Sequence, residues 1–268
     1  MTAQTLEPRP TVLQQWWVLS TRLIAPSFRS GEAVTSVLAP VVFTVGFYTP
    51  LNAVMSFFGH GLSSYAQFLM PLIVLQALAF TSISAAFRSA TDAVEGINKR
   101  FGSMPIGPLV PLAARMTATL FRFVVSFAAA IVCGYVIGFR FSAGTLHTIG
   151  FIAFALLIAV ALSVAADVLG ALSSSPEATT QALMLPQLIL GMLSVGFAPA
   201  SQFPSWAQWF VRNQPVSQFV YGLRALAGDT TGGAGSVTWS LMGPPLAWAV
   251  LLIAVFVPLS MRLSARRP

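Results

Sequence analysis

The chain has 268 residues, 56% of them hydrophobic and only 8% charged, with a mean hydropathy of +0.80. A soluble domain of this size carries roughly a quarter of its residues as charges, so a water-soluble globule is excluded and the long apolar runs define an integral membrane protein. The formal charge of +7 reads as arginines flanking membrane spans, where they set topology and meet anionic headgroups, and not as a nucleic-acid surface.

From the N-terminus, MTAQTLEPRPTVLQQWW lacks an apolar core with an A-x-A site, so no cleaved signal peptide is expected. Residues 1–32 read as a cytoplasmic segment containing an interfacial helix. Over 11–24, Leu13, Trp16, Trp17 and Ile24 fall on one helical stripe, with Gln14, Gln15 and Arg22 elsewhere. A bilayer core about 30 Å thick then needs about 20 mostly apolar residues per helix. Six stretches qualify, near 33–52, 66–87, 114–138, 146–172, 181–200 and 244–262, making 33–262 one all-α membrane domain with a tail at 263–268. The stretch 201–227 alternates aromatic and polar residues and is broken by Pro204 and Pro215. It predicts two short re-entrant helices anchored in the outer leaflet by Trp206, Trp209, Phe210 and Tyr221.

Lysine and arginine set the orientation. Arg9, Arg22, Arg29, Arg88, Lys99, Arg100, Arg115, Arg262, Arg266 and Arg267 fall on one side; Arg140, Arg212 and Arg224 fall on the other. Both termini are therefore expected in the cytoplasm of a multi-pass plasma-membrane protein.

The chemistry is sparse. Lys99 is the only lysine and is followed by Arg100, so G-x-x-x-x-G-K-[ST] is absent and the chain is not expected to hydrolyse ATP itself. Cys133 is the single cysteine, and His60 and His147 are isolated, so neither a disulfide framework nor a metal site is expected. Two charges lie within spans, Arg122 and Asp167, at equal depth on antiparallel neighbours. They predict an ion pair bracing spans three and four. The alternatives are a snorkelling Arg122 or a proton-carrying Asp167 in a secondary efflux transporter. Gly134 and Gly138 fit small-xxx-small helix packing.

Between spans two and three, DAVEGINKRFGSMPI concentrates charge. Asp92 and Glu95 precede Lys99 and Arg100, the Glu95–Lys99 spacing has the favourable i, i+4 order, and Val94, Ile97 and Phe101 form an apolar face. A short amphipathic helix near 90–102, closed by Gly102 and Pro105, is predicted to plug into a partner protein. An ordinary positive-inside loop would explain the basic residues but not the acidic pair.

This segment, through Asp92, Gly96, Arg100, Phe101, Ser103, Met104 and Pro105, resembles the D-x-x-x-G-x-x-x-R-F-x-S-M-P core of ABC exporter permeases of the daunorubicin-resistance type. A second stretch, VRNQPVSQFV followed by GLRALAG, resembles that family's N-Q-P-x-S…L-R-A-L-x-x-G motif. Nearly the whole chain is covered, and within the family the likeness is to the DrrB type of actinobacterial systems assigned to daunorubicin and phthiocerol dimycocerosate export. The resemblance implies a single permease domain over 1–268, a separate ATPase dimer carrying ATP and Mg²⁺, and a second, similar or identical permease. It makes Asp92, Glu95, Lys99, Arg100 and Phe101 ATPase-coupling contacts beside Trp17 and Arg22, and puts Asn213, Gln214, Pro215 and Arg224 at an external gate. For cargo, Phe43, Phe47, Met70, Phe80, Met184 and Met192 suit an apolar drug or long-chain lipid.

Overall fold

The computed structural model of the chain describes residues 11–29, 32–58, 64–97, 100, 106–107, 109–229 and 236–265. Every regular element among them is helical. α1 covers Val12–Arg29. α2 (Glu32–Phe43) passes through a π-helical turn, Thr44–Tyr48, directly into α3 (Thr49–Phe58). The long helices α4 (Tyr65–Val94), α5 (Val110–Val136) and α6 (Thr145–Ala171) follow. Next come α7 (Pro176–Met192), α8 (Ser205–Asn213), α9 (Pro215–Ala227) and the long α10 (Trp239–Ala265).

Five segments among the described residues are long and apolar enough to cross a bilayer: Val34–Ala53, Tyr65–Val94, Val110–Val136, Thr145–Ala171 and Trp239–Leu263. They match the predicted first, second, third, fourth and sixth spans. The predicted fifth, 181–200, differs. α7 begins at Pro176 and stops at Met192, giving 17 residues and a length of about 25 Å, short of a bilayer core. It stops because the following residues are drawn sideways into the core. The Ser194 hydroxyl donates to the Gly191 carbonyl (2.6 Å), and the Val195 amide donates to the Ser217 hydroxyl of α9 (3.1 Å). Val195 is fully buried there.

α4 is the axis of the bundle. Twenty of its 30 residues are buried, on every face, so it behaves as a core helix and not as an amphipathic one. α6 runs along it, and α5, α7 and α9 also pack against it. α2 with α3, and α10, stand at the periphery and leave most of their apolar surface facing outward.

The α4–α6 crossing is set by a glycine. A Cβ on Gly170 would lie 2.2 Å from the Ala86 carbonyl oxygen and 2.9 Å from the Ser89 Cβ, so no larger residue fits without parting the helices. Just beside it, the Ser89 hydroxyl donates to the Asp167 carbonyl across the interface (2.8 Å). The predicted small-xxx-small pair on α5 divides into two jobs. Gly134 lies over Met70, whose Sδ would sit 2.6 Å from an added Cβ, whereas Gly138 takes φ 101 with open space around it and serves the turn after α5.

Gly170→Ala is expected to lower stability by about 1–3 kcal/mol through overpacking, read as a lower unfolding midpoint in detergent. Gly243→Ala, where nothing lies within 4 Å, is expected to leave the midpoint unchanged or raised.

Candidate functional site

Two polar clusters stand at opposite ends of α4. The first is at its C-terminal end, beside α1. α4 continues past the predicted end of span two, so Asp92 lies in its last turn. Gly96 then takes φ 69, the left-handed conformation glycine adopts most cheaply after a helix. A second helical turn starts there, with the Arg100 amide donating to the Gly96 carbonyl (3.2 Å). The predicted helix near 90–102 is therefore split: Asp92 and Glu95 end one helix, and Ile97 and Arg100 belong to the next. Gly102 and Pro105 were the expected terminators, but Gly96 breaks the helix first. Lys99, Phe101, Gly102 and Pro105 lie outside the described residues.

α1 is docked on α5 beside this split. The Trp16 indole donates to the Thr117 hydroxyl (3.1 Å), and the Gly107 amide donates to the Gln15 side-chain carbonyl (3.3 Å). The predicted stripe on α1 is thereby divided, since Trp16 turns towards α5 while Leu13 and Trp17 remain exposed. Arg22 reaches a cavity of about 270 Å³ that it lines with Leu19, Leu23, Asp92, Ile97, Arg100 and Arg115. A second cavity of about 170 Å³ adjoins it, sharing Leu23, Asp92 and Arg115 and adding Arg88, Arg122 and Asp167.

Asp167 is buried, and the partner the structure shows for it is Arg115. Nε donates to one carboxylate oxygen (3.0 Å) and Nη2 reaches the other (3.4 Å), a forked contact. The sequence pointed to Arg122 because the predicted third span began at 114 and left Arg115 at its border. α5 starts earlier, at Val110, which puts Arg115 inside the helix, two turns before Arg122 on the same face. Arg122, also buried, borders the same cavity as the Arg115–Asp167 pair.

The second cluster, at the other end of α4, is built from the N-Q-P-x-S and L-R-A-L-x-x-G residues. Asn213 ends α8, its amide donating to the Trp209 carbonyl (2.7 Å). Gln214 joins two helices. Its amide nitrogen donates to the Leu190 and Leu193 carbonyls at the end of α7 (2.8 and 3.1 Å), and its oxygen accepts from the Val216 amide at the start of α9 (3.3 Å). Pro215 is the first residue of α9, where its missing N–H costs nothing. Arg224 is fully buried. It donates to the Phe68 and Val195 carbonyls (2.9 and 3.0 Å) and stacks over the Phe68 ring at 3.9 Å, with buried Asp229 as an opposite charge nearby. Gly228, at φ 90, closes α9 against Ser142 and Ala143.

The structure thus brings Asp92, Arg22 and Arg100 together and gathers Gln214 and Arg224 around the end of α7. Trp17 and Glu95 stay exposed. Sequence reasoning missed Arg88 and Arg115 as cavity residues, Ser217 as the anchor of Val195, and the Gln187-to-Gln76 hydrogen bond fixing α7 on α4. The four-residue spacing of Arg88 and Asp92 was the available signal for the first of these. The proposed cargo residues do not form one surface. Phe43, Phe47 and Phe80 cluster with Phe197, Met70 is wholly buried, and Met184 and Met192 face outward.

A helical bundle with several apolar spans, a central buried helix and a charged cluster at one end of it defines a multi-pass membrane protein. The sequence matches the ABC-2 family transporter proteins over residues 48–262, and the chain belongs to that family. It is 44% identical over 260 residues to the doxorubicin resistance ABC transporter permease protein DrrB of Mycobacterium tuberculosis (strain ATCC 25618 / H37Rv), covering 95% of this chain and 90% of that one. It is 27% identical over 232 residues to the daunorubicin resistance ABC transporter permease protein DrrB1 of Streptomyces coeruleorubidus, covering 87% of this chain and 79% of that one.

Removing one partner of the Arg115–Asp167 pair strands a buried charge. Arg115→Ala and Asp167→Ala are each expected to cost about 3 kcal/mol, and the double variant less than their sum, as measured by denaturant unfolding in micelles. At the other cluster, Gln214→Ala is expected to cost about 1–3 kcal/mol by releasing the last carbonyls of α7, measured in the same way.

Proposed function

We propose that this chain is the membrane-spanning, non-catalytic subunit of an ATP-driven exporter that moves apolar drug or lipid molecules out of the cell. One observation carries the reading. In a chain without a P-loop, Arg22, Asp92 and Arg100 converge at the end of the helix around which the bundle is packed. That placement suits a docking element through which a separate ATPase dimer, holding ATP and Mg²⁺, acts on the spans. The exposed Glu95 and Trp17 are assigned to the same contact, and Lys99 and Phe101 are assigned to it from the sequence alone. A second permease, similar or identical, completes the pathway.

In this reading both termini are cytoplasmic, and ATP binding pushes α4 and its flanking turn so that access alternates between the two sides. α7 serves as the fifth of six crossings, its 17 residues at the short end of what a bilayer accepts. α8 and α9 dip into the outer leaflet, supported by the exposed indoles of Trp206 and Trp209. Asn213, Gln214, Pro215 and Arg224 then hold the outer gate. The relatives named for doxorubicin and daunorubicin resistance support a drug cargo. The outward-facing methionines and the Phe43–Phe47–Phe80 cluster suit a long-chain lipid equally well. A proton-coupled exporter would use Asp167 as carrier, but that carboxylate is already committed to Arg115.

Charge reversal at Lys99 and Arg100 together is expected to abolish co-purification of the partner ATPase and cargo efflux, with the permease still inserted. An unchanged complex with unchanged efflux would sink the docking assignment. Efflux should survive collapse of the proton gradient and stop on ATP depletion; the reverse result would favour the proton-coupled exporter.

A further inference from the structure

We infer that the two adjoining cavities between α1, α4, α5 and α6 form a binding site for a phosphate group, carried by an anionic lipid headgroup or as the free ion. The site follows from charge and shape together, and holds whichever cargo the protein moves. Five guanidinium groups border the two cavities: Arg22 and Arg100 on one, Arg88 and Arg122 on the other, and Arg115 between them. Against these stand two carboxylates, Asp92 and Asp167, the second engaged by Arg115. Among the described residues that line or adjoin the cavities, adding Glu95, exposed one turn from Asp92, still leaves five cations against three carboxylates.

Four of the arginines reach the site from three helices, and Arg100 comes from the turn after Gly96. Arg115 and Arg122 lie two turns apart on one face of α5, Arg88 stands one turn before Asp92 on α4, and Arg22 comes from α1. Arg122 is 5% exposed and the Arg115 side chain 13%. Concentrating like charge away from bulk water is costly, and a polyvalent oxyanion offsets that cost by accepting several charge-assisted hydrogen bonds at once. The smaller cavity, about 170 Å³, has room for several waters at about 30 Å³ each, which is ample for a phosphate.

The rest of the lining matches an amphiphile. Leu19, Leu23, Ile97 and Pro111 border the larger cavity, and Ala85, Phe87 and Ala118 the smaller. Acyl chains would lie along these residues with the phosphate among the guanidiniums. The site also touches Asp92, at the end of α4, so its occupancy bears on the same turn that Gly96 forms.

The test uses the full-length chain purified in a neutral detergent, with native mass spectrometry and thermal unfolding as readouts. The probes are phosphatidic acid, diacylglycerol with the same acyl chains, and inorganic phosphate. Phosphatidic acid should bind and raise the unfolding midpoint, while diacylglycerol should do neither. Arg88→Gln with Arg122→Gln should weaken phosphatidic acid binding at least about tenfold, whereas Arg212→Gln, on exposed α8, should leave it unchanged. If inorganic phosphate reproduces the stabilisation in an Arg122-dependent way, the free ion is a sufficient ligand; if it does not, the lipid headgroup is required. Should the double variant fold poorly, Arg22→Gln at the exposed rim provides the second measurement and should also weaken binding. Equal binding of diacylglycerol and phosphatidic acid, or phosphatidic acid affinity unaltered in these variants, would overturn the proposal.

Discussion

In hydrocarbon, an apolar side chain gains little by leaving lipid for protein, so helix association depends on how closely backbones approach and on what polar groups meet across the gap. The crossing of α6 over α4 satisfies both requirements within one turn. Gly170 lets the Ala86 carbonyl into contact, and Ser89 donates to the Asp167 carbonyl beside it. The Asp167 side chain points on to Arg115 of α5. Three helices are thus fixed together at one level, by a missing Cβ, a hydroxyl and a forked ion pair. The remaining contacts of the bundle are arranged around α4 from that starting point.

At the far end of α4 the same problem, unsatisfied backbone in an apolar setting, has a different solution. α7 stops short, and its last carbonyls would be orphans. Gln214 supplies the donors, while Arg224 takes up the Phe68 and Val195 carbonyls exposed where α4, α7 and α9 converge. These motif residues act first as connectors that let the chain reverse direction inside the bundle. A role at a gate would be built on that rigidity. It would not replace it.

Much of this was legible in the sequence. Five of the predicted spans coincide with long helices because a 20-residue apolar run has few other outcomes, and Pro204 and Pro215 marked the starts of α8 and α9 within a residue. The two motifs placed both polar clusters. The misses have local causes. Gly96 was passed over because Gly102 and Pro105 looked like stronger stops, and Arg115 because a span boundary drawn four residues late left it at the border of the helix. α7 could not be sized from hydropathy, since what ends it is a hydroxyl on α9, 22 residues beyond Val195. Long-range contacts of that kind leave no trace in local composition.

α4 touches both clusters, and its crossing with α6 lies far from its midpoint. From Ala86, Asp92 is about 9 Å away along the helix axis and Phe68 about 27 Å in the other direction. Were α4 to pivot as a rod about the Gly170 contact, that contact would be the fulcrum of a lever with unequal arms. A displacement of 1 Å at Asp92 would swing the Phe68 carbonyl, and the arginine bound to it, by about 3 Å in the opposite sense. On that geometry a small thrust at the charged end would become a larger excursion where α7 and α9 meet.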